Sequence, residues 1–245
     1  MMTANDHVRR LVTALAVACI CIQVAACSGS DHKPVASSTA PPPVATSPAA
    51  PTKPATPPVE WLLSAADINT VMGATGMTVA ASDTNKINDD GPDVTPKNCL
   101  PLYSDAEARV YAVGNWSAMR RQKVQEPNDD PAHMVFQAVV SFPSANDAGA
   151  FFSRSAQEWP ACANHQFMHR DLRHNDETWV TGAVTNTNGV LSVSNIQQRT
   201  HGWGCQRALT VANNVAIDVG ACSYTRSDAA INIANQIAAK VRAAR

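Results

Sequence analysis

No aromatic residue precedes Trp61; all thirteen Trp, Tyr and Phe residues fall within 61–245. A packed core draws on large side chains, so the sequence confines the core to the region after residue 60. The 245-residue chain divides there, into a part without a core and a part of ordinary domain size. The formal net charge is -1. A basic surplus, as nucleic acid or an anionic membrane surface would require, is missing, and no nucleic-acid partner is expected.

The N-terminal part reads as an address. MMTANDHVRR ends in Arg9 and Arg10, and LVTALAVACICIQVAA at 11–26 carries no charge. A basic end, an apolar run and small residues form the pattern of a secretory signal peptide. The run is short of the about 20 apolar residues of a membrane-spanning helix. Val24-Ala25-Ala26-Cys27 resembles the bacterial lipobox, in which the cysteine thiol takes a diacylglycerol and becomes the first mature residue. The expectation is a signal peptide over 1–26, lipidation at Cys27 and a protein held by acyl chains on the outer face of the cell membrane. Two or more chains are needed for firm anchoring. Cys19 and Cys21 leave with the signal.

Residues 27–59 form a tether. SGSDHKPVASSTAPPPVATSPAAPTKPATPPV holds nine of the sixteen prolines, mixed with Ala, Ser and Thr. This composition buries no core and stays disordered or polyproline-like. Extended, it reaches about 100 Å.

Residues 60–245 carry the folding signals. Ser64-Ala-Ala-Asp67 predicts a capped helix start, with Leu63 and Ile68 at hydrophobic-staple spacing and an end near Gly73. Ser144-Ala-Asn-Asp147 opens a second helix, with Ala148, Phe151, Phe152, Ser155 and Trp159 on one face and Pro160 as its stop. Ser227-Asp228 opens a third, where Ile231, Ala234, Ile237, Ala238 and Val241 recur at helical spacing. Elsewhere the period is two. Met134, Phe136, Ala138, Val140 and Phe142 alternate; 179–184 and 190–198 flank TNTNG as a hairpin; 116–126 is a weaker strand. The fold class is α+β: a twisted antiparallel β-sheet packed by about three helices.

The last hairpin, GCQRALTVANNVAIDVGACS, fixes a register. Asn213-Asn214 suits a two-residue turn, because Asn tolerates positive φ. Ala212 then pairs with Val215, and Cys205 falls opposite Cys222, within disulfide reach. A one-residue bulge would displace that pairing. Cys99 and Cys162 pair by elimination, giving two disulfides in an oxidising compartment. Metal thiolates are the alternative, but no C-x-x-C occurs.

Ser64-Ala-Ala-Asp67, Ala138-Val-Val-Ser-Phe-Pro-Ser-Ala145, Trp159-Pro-Ala-Cys162 and Asn214-Val-Ala-Ile-Asp-Val-Gly-Ala-Cys222 together resemble the PknH-like extracellular domain. This family supplies the sensor domain of a mycobacterial transmembrane serine/threonine kinase and occurs in mycobacterial lipoproteins. The resemblance covers 60–243. It implies a twisted antiparallel sheet with helices against it, a cleft and two disulfides, and it carries over no binding residues. No kinase domain or transmembrane helix is read in this chain, so signalling across a membrane by the chain alone is not expected.

Chemistry-bearing residues are sparse. His165, His169 and His174 would form a metal site only if 165–174 were helical; a solvated polar segment or a strand suits the pattern better. No H-E-x-x-H, G-x-S-x-G or phosphate-binding glycine loop is present, so neither an enzyme nor a cofactor is expected. Arg207 and Asp218 share the cysteine-bearing face of the last hairpin as diagonal neighbours, a cross-strand ion pair or a ligand-facing pair. Trp116 with Arg120 and Arg121 would make a cation–π patch, against ordinary packing of the indole. His133 lies on the strand face opposite Phe136, as a surface histidine. The functional expectation is a sensor-like domain that binds an extracytoplasmic wall component, glycolipid, small molecule or protein. The alternative is a module that docks another envelope protein.

Overall fold

The structure is a computed structural model describing residues 56–80, 85–171, 175–225 and 227–244. Cys19, Cys21, Cys27, His174 and nearly all of the tether lie outside the described residues. The described chain begins at Thr56, and Pro57 is already buried.

Three helices form where the sequence places them, two of them capped as predicted. In α1 (Ala65–Met72) the Asp67 amide donates to Ser64 Oγ while the Ser64 amide donates to the Asp67 carboxylate. Leu63 and Ile68, the staple pair, are both buried. Gly73 ends the helix at φ 66°, a left-handed conformation that glycine adopts without a Cβ penalty. In α4 (Ala145–Glu158) the Asp147 amide donates to Ser144 Oγ. The helix passes at Trp159 into a single 3₁₀ turn, Trp159–Cys162. α5 (Ala229–Ala243) buries Ile233, Ala234, Ile237, Ala238 and Val241. Two one-turn helices, α2 (Leu100–Tyr103) and α3 (Ala108–Tyr111), carry no periodicity that a sequence could display.

The strands are β1 (Thr78–Val79), β2 (Val94–Thr95), β3 (Ala118–Gln125), β4 (His133–Ser141), β5 (Gln166–His169), β6 (Glu177–Thr181), β7 (Thr185–Thr187), β8 (Val190–Gln197), β9 (Gly204–Ala212) and β10 (Val215–Ser223). They form one antiparallel sheet in the order β1-β3-β4-β10-β9-β8-β6-β5-β2, with β7 beside β8. TNTNG is more ordered than a loop: Thr185–Thr187 pairs with Val190–Ser192, leaving Asn188-Gly189 as the turn, both at positive φ. Both ends of the order are two-residue strands, which limits further edge pairing.

The sheet is covered on both faces. Odd positions of β4 and β10 (Val135, Val139, Val215, Ile217, Val219) pack under α5 and α1. Even positions (Val140, Phe142, Ala216) join Leu191 and Leu209 under Phe151 and Trp159. Of the even face of β4, where the sequence shows apolar residues alternating, Ala138, Val140 and Phe142 are buried. Its far half, Met134 and Phe136, stays partly open, because α4 covers only the end of the face near Val140 and Ala216.

Cys205 pairs with Cys222 in the ladder, and the two are disulfide-bonded. The second disulfide is Cys99–Cys162; it ties the start of α2 to the 3₁₀ turn after α4.

Candidate ligand-binding cleft

On the face opposite α5, strand register places side chains in three cross-strand rows. The first runs Arg121, Ala138, Asp218, Leu209; the second Lys123, Phe136, Gly220, Arg207; the third Gln125, Met134, Cys222, Cys205, Asn195. Charged residues occupy this face past the reach of α4, so another segment must satisfy them.

For the first row that cover is residues 104–111. The Ala106 amide and the Tyr111 hydroxyl donate to Asp218 Oδ2 at 2.9 and 3.2 Å. Asp105 takes Arg121 in a fork, Nε to Oδ2 at 2.7 Å and Nη2 to Oδ1 at 3.0 Å. All four side chains are buried. Burial raises the Asp218 carboxyl above the usual carboxylate range, although Arg207 opposes the shift. Burial, together with the Asp218 charge, pushes the Tyr111 hydroxyl well up.

The second and third rows floor a cleft of about 310 Å³, at the small end of the roughly 300–1,000 Å³ typical of small-molecule sites. Gly220 supplies the low point of the floor. The segment after α2 contributes Tyr103 and Ser104, β6 contributes Glu177 and Trp179, β8 contributes Asn195 and Gln197, and Trp203 closes the rim. Gly204 permits the close approach of β9 to β8; a Cβ there would lie 2.8 Å from the Asn195 carbonyl oxygen.

Two buried side chains in this cleft have unused polar atoms. Arg207, 2% exposed, donates through Nη2 to Asp218 Oδ1 at 2.7 Å and to the Ser104 carbonyl at 3.0 Å. Its Nε and Nη1 meet no partner among the described residues. Asn195, 1% exposed, donates through Nδ2 to the Leu102 carbonyl, and its Oδ1 is likewise unmatched. Buried polar groups are normally paired, and each unpaired one is costly.

One wall is a carboxylate held by three donors. Glu177 Oε2 accepts from Trp179 Nε1 at 3.0 Å, His169 Nδ1 at 3.2 Å and the Tyr103 hydroxyl at 3.5 Å. Tyr103 stacks on His169 and meets Trp179 edge-on. Burial, with the Glu177 charge behind it, raises the Tyr103 hydroxyl well above its ordinary value. Burial alone would lower the His169 imidazole; the hydrogen bond and charge of Glu177 outweigh it and leave the ring raised.

The residues singled out in the sequence separate sharply. Arg207 and Asp218 form the cross-strand ion pair, and Arg207 also lines the cleft. The Trp116 patch does not form, because Arg120 and Arg121 point to opposite faces of β3. Arg120 reaches the Pro57 carbonyl, and Arg121 lies over Phe136 with Cζ 5.1 Å from the ring centroid. Residues 166–169 are a strand, so His165 and His169 share no helical face. His165 is exposed, with Nδ1 3.0 Å from the Ala163 carbonyl. His133 Nδ1 lies 2.7 Å from Glu126 Oε1. Among the described residues no group of three or more His, Cys, Asp or Glu is placed to hold a metal ion, and no helix is long and apolar enough to cross a membrane. Sequence reasoning missed Tyr103, Glu177, Trp179 and Asn195 as site residues; Trp179 and Asn195 lay in expected strands, Tyr103 and Glu177 outside them.

Comparison with known proteins agrees with this architecture. Residues 54–240 match the family described as PknH-like extracellular domain. The serine/threonine-protein kinases PknH of Mycobacterium bovis and Mycobacterium tuberculosis are each 34% identical over 184 residues, 74% of this chain. The match takes in 29% and 28% of their lengths, so the chain spans under a third of these relatives. The crystal structure of the extracellular domain of PknH from Mycobacterium tuberculosis superposes with a TM-score of 0.71 at 33% identity, covering 75% of this chain and 94% of that one. The match extends over most of the chain and takes in the residues of the three-row sheet face, both disulfides and the cleft, and the chain belongs to the PknH-like extracellular domain family.

Proposed function

We propose that this protein is a cell-envelope lipoprotein, anchored at Cys27, whose sensor-type domain binds an extracytoplasmic ligand in the cleft floored by Gly220. One observation carries the binding reading: Arg207 and Asn195, both lining the cleft, are buried and held by the protein through one nitrogen each, while their other polar atoms have no partner among the described residues. A surface that merely packs would have replaced such groups with apolar ones. Family membership supports an extracytoplasmic location, and the lipobox motif supports the anchor.

A Gly220→Val variant tests the cleft. A Cβ at this position meets Phe136 and Arg207 at 3.5 and 3.7 Å, ordinary contact distances, and β-branched residues suit a strand. The variant should fold and fill the floor. Wild-type protein incubated with envelope extract, washed and analysed by mass spectrometry should retain molecules that Gly220→Val does not. Equal retention by both would remove the cleft as the site. Separately, Cys27→Ala should abolish incorporation of labelled fatty acid and release the protein from membranes; incorporation that persists would refute the anchor.

A further inference from the structure

The chemistry left unused in the cleft specifies what would complete it. We infer that the cleft recognises an uncharged, hydroxyl-bearing ring of the sugar type; this rests on the ligand-binding reading above and names its ligand class.

Two of the three cations in the cleft are ion-paired with carboxylates. Its lining holds three carboxylates, Asp90, Asp105 and Glu177, and three cations, Arg121, Lys123 and Arg207. Asp105 takes the Arg121 fork, Asp90 accepts from Ser104 Oγ at 2.5 Å, and Glu177 accepts from Trp179, His169 and Tyr103. Arg207 is neutralised from behind by Asp218. Cations and carboxylates line the cleft in equal number, so an anionic ligand would find no cationic surplus.

The unused hydrogen-bonding capacity is of both signs. Arg207 offers only donors, at Nε and Nη1, since guanidinium has no acceptor. Asn195 offers an acceptor, because its Nδ2 donates to a carbonyl and that fixes which way the amide points. Asn195 pairs with Cys205 and Arg207 with Val193, so the two are diagonal neighbours, roughly 7–8 Å apart, a span one small ring can bridge. Carboxylate and phosphate oxygens would satisfy Arg207 and face the Asn195 oxygen with further lone pairs. An ammonium would do the reverse, and an acyl chain would satisfy neither. A hydroxyl both donates and accepts, and a ring bearing several serves both residues. Trp179, Trp203, Tyr103 and Phe136 add apolar aromatic surface for its C–H groups.

The test is saturation-transfer NMR on the full chain, with tryptophan fluorescence to rank affinities. The probes are glucose, galactose, mannose, arabinose, maltose and cellobiose, against glucuronate, glucosamine, glucose 6-phosphate and octanoate. At least one neutral sugar should bind ten-fold or more tightly than its charged counterparts. Asn195→Leu should weaken that sugar about ten-fold, the loss of one well-placed hydrogen bond, and so should Trp203→Ala at the rim. Gly220→Val should abolish binding. Melting curves establish that each variant is folded, and the rim and floor variants keep the test decisive if Asn195→Leu is not. Binding of a charged or acyl probe in preference, lost in Gly220→Val, would overturn the ligand class and leave the cleft reading intact. Neutral-sugar binding that survives Gly220→Val would place the sugar elsewhere and overturn the inference. No probe binding, with equal extract retention by wild type and Gly220→Val, would overturn both.

Discussion

Arg207 and Asp218 face each other diagonally across β9 and β10, with Nη2 2.7 Å from Oδ1 and both side chains at or below 4% exposure. Asp218 also accepts from Ala106 and Tyr111, so one carboxylate joins the sheet to the segment that roofs it. Removing one partner of such a pair leaves an uncompensated buried charge, at about 3–5 kcal/mol. Arg207→Met is therefore expected to lower unfolding free energy by about that amount in urea titration. Asp218→Ala should do so too, and should also speed amide exchange across 104–111. A loss under about 1 kcal/mol for both, the scale of an exposed pair, would mean the pair is not buried as described.

A second buried polar residue pins the start of the domain. Gln137, on the α5 face of β4, accepts from the Leu63 amide at 2.9 Å and donates to the Leu63 carbonyl at 2.8 Å. Gln137→Leu would leave both backbone groups buried and unpaired, at about 1–3 kcal/mol each. The melting temperature should fall, and proteolysis should begin near Leu63. Unchanged stability would show that the strand face tolerates the segment's release.

The two disulfides close loops of 63 and 17 residues. In the chain-entropy account they stabilise by about 4 and about 3 kcal/mol. Cys99→Ser/Cys162→Ser should be the more destabilised double variant, and peptide mapping of the native protein should recover only these two links among Cys99, Cys162, Cys205 and Cys222. A Cys99–Cys205 link would overturn the register of the last hairpin.

His169 makes the cleft wall pH-sensitive. Its imidazole, with Tyr103 and Glu177 against it and the charges of Asp90 and Asp171 nearby, is raised above the ordinary 6.5. A raised histidine favours the native state most when protonated, so its contribution is complete below pH 6.5 and disappears as pH climbs through the raised value. Wild type should exceed His169→Gln in melting temperature at about pH 5.5, and the gap should narrow steadily toward about pH 8.5. A gap that widens with pH would reverse the assignment.

Local signals carried much of the fold. Ser64 and Ser144 announce α1 and α4 because a capping hydroxyl and an Asp three residues on act within a single turn. Asn213-Asn214 sets the β9–β10 register because a two-residue turn leaves no slack, and that register alone brings Cys205 to Cys222 and Arg207 near Asp218. The start of α5 was different. Asp228 gives no side-chain cap; Gln206, on β9, accepts from the Ala230 and Ile231 amides instead, a partnership no sequence spacing could reveal.

What the sequence determined by itself is everything set by short-range physics: where the core can begin, the helix caps, the strand period, the hairpin register and the family resemblance. What only the tertiary structure decided is the cleft. Its walls come from residues 88–105, 121–136, 177–203 and 205–222, separated along the chain and joined by the sheet order. Glu177, Asn195 and Tyr103 are ordinary polar residues until folding removes their water and leaves each to find a partner. That desolvation turns Arg207 and Asn195 from plain strand positions into groups with bonds still to make.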